Sequence, residues 1–255
     1  MLLAVDVGNT QTVFGLFDKE RLVEHWRVAT EDERTADELA ALVARLLELR
    51  ELGFDDVSSV CLSSTVPRLF RAYEELAERD LDAPILVLGP GTKTGIPILY
   101  DDPREVGPDR IANAVAARER YGAPCIVVDF GTSTNFDAVS DAGEYVGGVL
   151  APGIEISMDA LFARAARLTK VPFEPPEHVI GKTTTSALQS GLVYGFAGQV
   201  DAIATRIREE LEAPAAAVVA TGGLADLIAP HARTLDRVDP HLTLEGLRIV
   251  WARNL

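Results

Sequence analysis

The sequence is short of several things, and each shortage excludes a class of protein. Of 255 residues only two are cysteines, Cys61 and Cys125. Both sit in apolar, strand-like runs ("SVCLSS" and "PCIVVD"). They read as reduced core residues rather than a disulfide framework. No Cys/His spacing fits a zinc site. Positive charge is scarce: 24 Lys and Arg stand against 39 Asp and Glu, a net charge of −15, with no block of basic residues. Nucleic acid and anionic membrane are therefore excluded as expected partners. No apolar run nears the ~20 residues that span a bilayer. The opening "MLLAVDVGN" lacks the basic region and cleavage site of a signal peptide. The expected location is cytoplasmic.

What is present is a globular composition, 47% hydrophobic and 25% charged, and a repeated loop. "DVGNTQTV" begins at Asp6 and "DFGTSTNF" at Asp129, 123 positions later (129 minus 6). Each follows an apolar run and continues through Gly into small polar residues. The grammar around them repeats as well. "LLAVDVG", "TVFGLF" and "LVEHWRVAT" read as strands, with "NTQT" as a hairpin turn between the first two. "TADELAALVARLLELRE" has helical apolar spacing, and "VPRLFRAYEELAERD" opens with a proline suited to a helix start. "APILVLG" reads as a strand, and "VGPDRIANAVAARERYG" as a turn feeding a helix. "CIVVDFGTSTNFDAVS" then restarts the pattern. "EYVGGVLAPG" follows as strand and turn, "IEISMDALFARAARL" as helix, and "TTTSALQSGLVYGFAGQVDAIATRIREELE" as a long helical tract. "AAAVVATGGLADLI" is strand, glycine turn and helix. Two similar α/β domains are expected, 1–118 and 119–255, with a boundary near 115–123. Their two polar turns would face each other across a nucleotide cleft.

Hairpin turns rich in Gly and Thr offer N–H groups and hydroxyls to phosphate, and Gly8 and Gly131 allow close backbone approach. Asp6 and Asp129 stand at the strand ends beside them, where a carboxylate suits a cation near polyphosphate. Two other glycine stretches carry no such meaning. "IGKTT" at 180–184 lacks the earlier glycine of a Walker A loop, since position 176 is proline. "GPGTKTG" at 89–95 has the wrong spacing for a dinucleotide loop. In "VGPDRIANAVAA", Asp109 reads either as an N-terminal cap favoured by the helix dipole or as a functional acid. Arg110 at the same end is disfavoured by that dipole, which suggests that it faces an anion.

Together these stretches resemble the type III pantothenate kinases of the acetate and sugar kinase/Hsp70/actin superfamily. The resemblance spans nearly the whole chain. It rests on "DVGNT" (6–10), "SSTVP" (63–67), "GPDR" (107–110), "DFGTSTNFD" (129–137), "GGVLAPG" (147–153) with "SMDAL" (157–161), "IGKTTTSALQSG" (180–191) and "TGGLA" (221–225). It implies duplicated actin-like (ribonuclease H-like) domains and ATP-dependent phosphorylation of pantothenate to 4'-phosphopantothenate, the first step of coenzyme A biosynthesis. By resemblance, Asp6, Val7, Gly8, Asn9, Thr10, Gln11, Thr12 and Val13 form the first phosphate-binding loop, and Thr132 is an ATP contact in the second. Asp109 is the catalytic base. Tyr100, Gly107, Pro108, Asp109, Arg110 and Thr184 belong to the pantothenate site. Asp129 is a ligand of a monovalent cation, potassium or ammonium. Mg2+ enters with ATP, and a homodimer is expected. One departure is visible: where the family more usually reads "GTATTFD", this chain has Ser133 and Asn135. A phosphohydrolase of the same superfamily and a non-catalytic nucleotide-binding regulator are the alternatives. "GPDR" counts against the first, and the presence of Asp6, Asp109 and Asp129 counts against the second.

Overall fold

The computed structural model describes residues 1–165 and 170–255. They form ten strands and seven α-helices. The strands are β1 (Leu2–Val7), β2 (Gln11–Asp18), β3 (Arg21–Ala29), β4 (Ser59–Ser64), β5 (Ile85–Val87), β6 (Cys125–Phe130), β7 (Ser133–Val139), β8 (Tyr145–Pro152), β9 (Ala217–Gly222) and β10 (Arg237–Val238). The helices are α1 (Ala36–Glu48), α2 (Phe70–Glu75), α3 (Pro108–Tyr121), α4 (Ile154–Arg164), α5 (Thr184–Glu210), α6 (Ala225–Ile228) and α7 (Leu242–Arg253).

Two five-stranded sheets share one topology. The first runs β3-β2-β1-β4-β5, and the second, read in the same sense, β8-β7-β6-β9-β10. In each, an antiparallel hairpin pair and a third antiparallel strand flank one side of the lead strand, and a parallel strand flanks the other. The register matches too. Asp6 pairs with Val13 and Ser63, while Asp129 pairs with Asn135 and Thr221. The duplication expected from the two loops is present in the backbone.

Each sheet is explained by its lead strand. "LLAV" and "CIVV" are buried on both faces, as a strand with a parallel neighbour requires. In the first unit, alternation sends Leu3, Val5 and Val7 into a cluster with Leu39, Val43 and Leu47 of α1 and Tyr73 of α2. Asp6 therefore shares the opposite face with Leu2 and Ala4. That face receives α7, which packs on β1, β2 and β4. Gly15, the β2 partner of Ala4, makes room there: a Cβ on it would stand 2.7 Å from Leu244 of α7. In the second unit Ile126, Val128 and Phe130 join Ile154 and Met158 of α4 and Val200 and Ala204 of α5. Asp129 thus occupies the same position on its strand as Asp6.

Local chemistry sets the helix starts. Thr35 caps α1, accepting from the Glu38 N–H at 3.3 Å while its own N–H donates to Glu38 Oε2 at 2.8 Å. Such a box is worth about 1 kcal/mol. Thr183 caps α5 in the same way through Ser186.

By contacts the chain divides into two units. One holds Met1–Gly95, Asp101–Ala116 and Leu242–Leu255, the other Ile96–Tyr100 and Ala117–His241. The division within residues 101–121 falls inside α3, and α7 returns to the first unit. Three expectations differ in detail. The segment 66–80 is not one helix but a 3-10 turn at Pro67–Leu69, then α2, then a π turn at Leu76–Asp80. The strand in "APILVLG" is only Ile85–Val87. The helix expected over 154–168 is seen from Ile154 to Arg164, and residues 166–168 of it lie outside the described residues. Sequence reading missed α7 altogether, although Leu244, Leu247 and Val250 recur at helical spacing.

Candidate active site

In the first unit the β1–β2 turn is stitched from three sides. Across it the Gly8 N–H donates to the Gln11 carbonyl at 3.0 Å. At the base, the Thr65 N–H and Oγ1 both donate to the Val7 carbonyl, at 2.9 and 3.2 Å. From beyond β3, the Thr30 Oγ1 donates to the Gly8 carbonyl at 2.8 Å, and the Thr30 N–H to the Thr10 carbonyl at 2.9 Å. Asn9, Thr10 and Gln11 are exposed at the tip, while Val7 and Thr12 are buried. The Val7, Gly8 and Thr10 carbonyls of the turn are thus held from the Thr30 and Thr65 sides.

The second unit builds its turn differently. The Gly131 N–H donates to the Ser133 carbonyl at 3.0 Å, and the Gly153 N–H to the Thr132 carbonyl at 3.2 Å. Three residues (131–133) lie between the paired Phe130 and Thr134, against four (8–11) between Val7 and Thr12. A Cβ on Gly153 would overlap the Thr132 carbonyl, so this brace is open to glycine only. The glycine of "APG" is thereby explained. Thr132 is exposed. The departing pair engage each other, Ser133 Oγ donating to Asn135 Oδ1 at 2.7 Å.

Asp129 is half-buried at the end of β6. Gly222, at φ +91°, lies against it: a Cβ there would meet both Asp129 Oδ1 and the Phe130 carbonyl at 2.6 Å. The missing side chain leaves a cradle bordered by a carboxylate and a carbonyl oxygen. Hard oxygen donors of this kind fit an alkali or ammonium ion. Among the described residues no group of three or more His, Cys, Asp or Glu side chains could hold a metal. A cation at Asp129 would therefore draw its other ligands from carbonyls, water or nucleotide.

The "GPDR" segment belongs to the first unit. Pro108 opens α3, which places Asp109 second and Arg110 third in its first turn. Asp109 is thus inside the helix rather than at its cap. Burial pushes its carboxyl above the usual aspartate range, while the backbone N–H groups of Arg110 and Asp109 and the Arg110 charge pull the other way. Among the described residues, none donates to its buried Oδ1. The absence of a side chain at Gly107 gives that oxygen its space. Arg110 is buried at 6% exposure. A buried carboxyl oxygen without a donor, on a group with a raised pKa, could take a proton from a hydroxyl placed against it.

In the second unit Tyr100 is half-buried, its ring centroid 6.4 Å from that of Tyr145. The Tyr145 hydroxyl donates to Asp137 Oδ1 at 2.8 Å, both residues being fully buried. Asp137 therefore fixes the ring on which Tyr100 rests. Thr184 is the exposed first residue of α5, next to the Thr183 cap. The cysteines are free and buried, and burial pushes both thiols up to about 12. Sequence reading singled out the loop residues but not their holders. Thr30 stands 22 residues from Gly8 and matches no motif, and Gly153 and Tyr145 sat in recognised stretches without a role.

A family description for type III pantothenate kinase matches residues 2–206. Curated type III pantothenate kinases align over the whole chain. That of Frankia alni is 55% identical over 256 residues, covering 100% of both chains. That of Myxococcus xanthus is 54% identical, covering 100% of this chain and 99% of its own. Among solved structures, component A of the Acidaminococcus fermentans (R)-2-hydroxyglutaryl-CoA dehydratase superposes with a TM-score of 0.57 at 14% identity, covering 98% of this chain and 95% of its own. The activator of the Clostridium difficile 2-hydroxyisocaproyl-CoA dehydratase, solved with ADPNP, gives 0.52 at 12%, covering 99% and 94%. At such identities these structures speak for the fold alone.

Proposed function

The chain belongs to the type III pantothenate kinase family, and from that premise we propose how its residues divide the work. The enzyme transfers the terminal phosphoryl group of ATP, carried with Mg2+, to the hydroxyl of pantothenate. The product, 4'-phosphopantothenate, enters coenzyme A biosynthesis. Phosphoryl transfer passes through a loose transition state, so catalysis is mainly positioning and charge balance.

In our reading Asp109 is the general base. The observation that carries it is the buried Oδ1, an acceptor that no described residue supplies with a donor. A hydroxyl at that atom would give up its proton as the phosphoryl group arrives. Arg110 grips the pantothenate carboxylate with its planar fork. Gly107 and Pro108 set the backbone beside it, and Tyr100 and Thr184 are assigned to pantothenate by the family resemblance. The stretch Asp6–Val13 and Thr132 hold the phosphates through N–H and O–H groups. Asp129 holds potassium or ammonium, which would offset phosphate charge in a protein of net charge −15.

A cytoplasmic homodimer completes the reading. Among the described residues no helix is long and apolar enough to cross a membrane. The apolar side chains of α5 that could have formed an interface, such as Leu192 and Val200, are buried within their own unit. Exposed apolar residues lie instead on the edge strand β8 and on α4: Leu150 at 62%, Ile156 at 47% and Leu161 at 42%. Such side chains suit a self-association surface.

The test is ADP formation with and without pantothenate. We expect turnover only with both substrates. ATP loss without pantothenate would favour a hydrolase, and no turnover at all a regulator.

A further inference from the structure

Behind the first loop two threonine hydroxyls are joined in series to its backbone. Thr12 Oγ1 lies 2.9 Å from Thr30 Oγ1, and Thr30 Oγ1 lies 2.8 Å from the Gly8 carbonyl. Each hydroxyl has a single hydrogen to give. The carbonyl at the end can only accept, so the direction of both bonds follows. Thr30 donates to Gly8, and Thr12 to Thr30. Hydrogen bonds aligned in this way strengthen one another.

Its consequence lies in the peptide planes. In a trans peptide the C=O and the following N–H point in opposite directions. Thr30 holds the Gly8 carbonyl with its hydroxyl and the Thr10 carbonyl with its N–H at 2.9 Å. The N–H groups of Asn9 and Gln11 are therefore turned away from Thr30. Asn9 and Gln11 are exposed, and among the described residues none accepts from the Asn9 N–H.

We propose that Thr30 is a positioning residue for nucleotide binding: by pinning the Gly8 and Thr10 carbonyls it presents the Asn9 and Gln11 N–H groups to the triphosphate. The proposal rests on the reading of residues 6–13 as a phosphate loop. A merely structural Thr30, joining the end of β3 to its neighbour, would change stability without favouring either substrate.

The experiment compares Thr30→Val, Thr30→Ser and Asp6→Asn by steady-state kinetics against both substrates, with melting temperatures alongside. Valine keeps the shape and removes the hydroxyl. It should raise KM for ATP about five- to tenfold, the scale of one hydrogen bond, and move KM for pantothenate less than about twofold. Serine should restore KM for ATP to within about twofold of wild type. If Thr30→Val leaves KM for ATP in place while Asp6→Asn raises it, the clamp is refuted and the phosphate loop stands. If neither variant raises it, the loop assignment fails and takes the clamp with it. Should Thr30→Val not fold, Thr30→Ala decides: a rise of about five- to tenfold in KM for ATP with KM for pantothenate in place supports the clamp, and no change overturns it.

Discussion

The β1–β2 and β6–β7 turns begin from the same place and are held by different means. Both follow an aspartate at the same register position, on matched strands in matched sheets. The first is tied by side-chain hydroxyls from Thr30 and Thr65, which reach it from other segments. The second is shorter and braced by the Gly153 backbone, where no side chain fits. Duplication has preserved the sheet while the fastening has diverged. A hydroxyl clasp can be weakened in steps, whereas a backbone brace fails when any side chain is added. The proposed base has no second copy: "GPDR" occurs once, in the first unit.

The largest effect should come from that unpaired element. Asp109→Asn keeps size and polarity but cannot accept a proton, so kcat should fall about 10²- to 10⁴-fold with little change in melting temperature. Burial raises the Asp109 pKa, which adds two signs to check. Activity should decline with acid at a pH above the ordinary aspartate value, because the carboxylate is the working form. Stability should behave oppositely. The contribution of the buried neutral acid is present below the unfolded-state pKa and is lost as pH rises through the raised folded-state value. Titrating melting temperature against pH should show this slope in the wild type and lose it in Asp109→Asn.

Next in size is a test of whether the matched aspartates do matched work. Asp129→Asn should abolish stimulation by potassium over sodium, while Asp6→Asn should raise KM for ATP and keep the stimulation. Equal loss of cation response in both variants would erase the distinction between the loops.

Smaller, and aimed at the fastening itself, is a pair of alanines. Gly153→Ala drives a Cβ into the Thr132 backbone and should cost about 1–3 kcal/mol, the scale of overpacking, with a weaker grip on ATP. Gly8→Ala puts its Cβ 3.0 Å from the Gln11 carbonyl, tight but relievable, and should cost less. Urea melts of the two variants rank them, and the reverse order would contradict a backbone-braced second turn.

Sequence disclosed what is local and repeated. A four-residue apolar run ending in Asp-x-Gly betrays a buried strand and its turn because both requirements fall within eight residues. Caps such as Thr35 and Thr183 are likewise short-range, so α1 and α5 were legible nearly to their ends. What was hidden depends on distant segments meeting. Nothing near Thr30 says that it will clasp Gly8, and nothing near Gly15 says that its missing side chain makes room for Leu244. Asp137 closes the "DFGTSTNFD" motif, yet its carboxylate is buried and accepts from the Tyr145 hydroxyl, whose ring stands behind Tyr100. The exchange of the usual loop residues for Ser133 and Asn135 is explained only by their mutual hydrogen bond.

The placement of α7 sets an order for biosynthesis. A ribosome delivers β1 and β2 first, but the helix that covers Leu2, Ala4 and Gly15 is made more than two hundred residues later. At translation rates of about 5–20 residues per second, the nascent first sheet waits roughly ten seconds or more with one apolar face bare. The second unit is completed at His241, the residue before α7 begins. The half of the enzyme that is begun first is finished last.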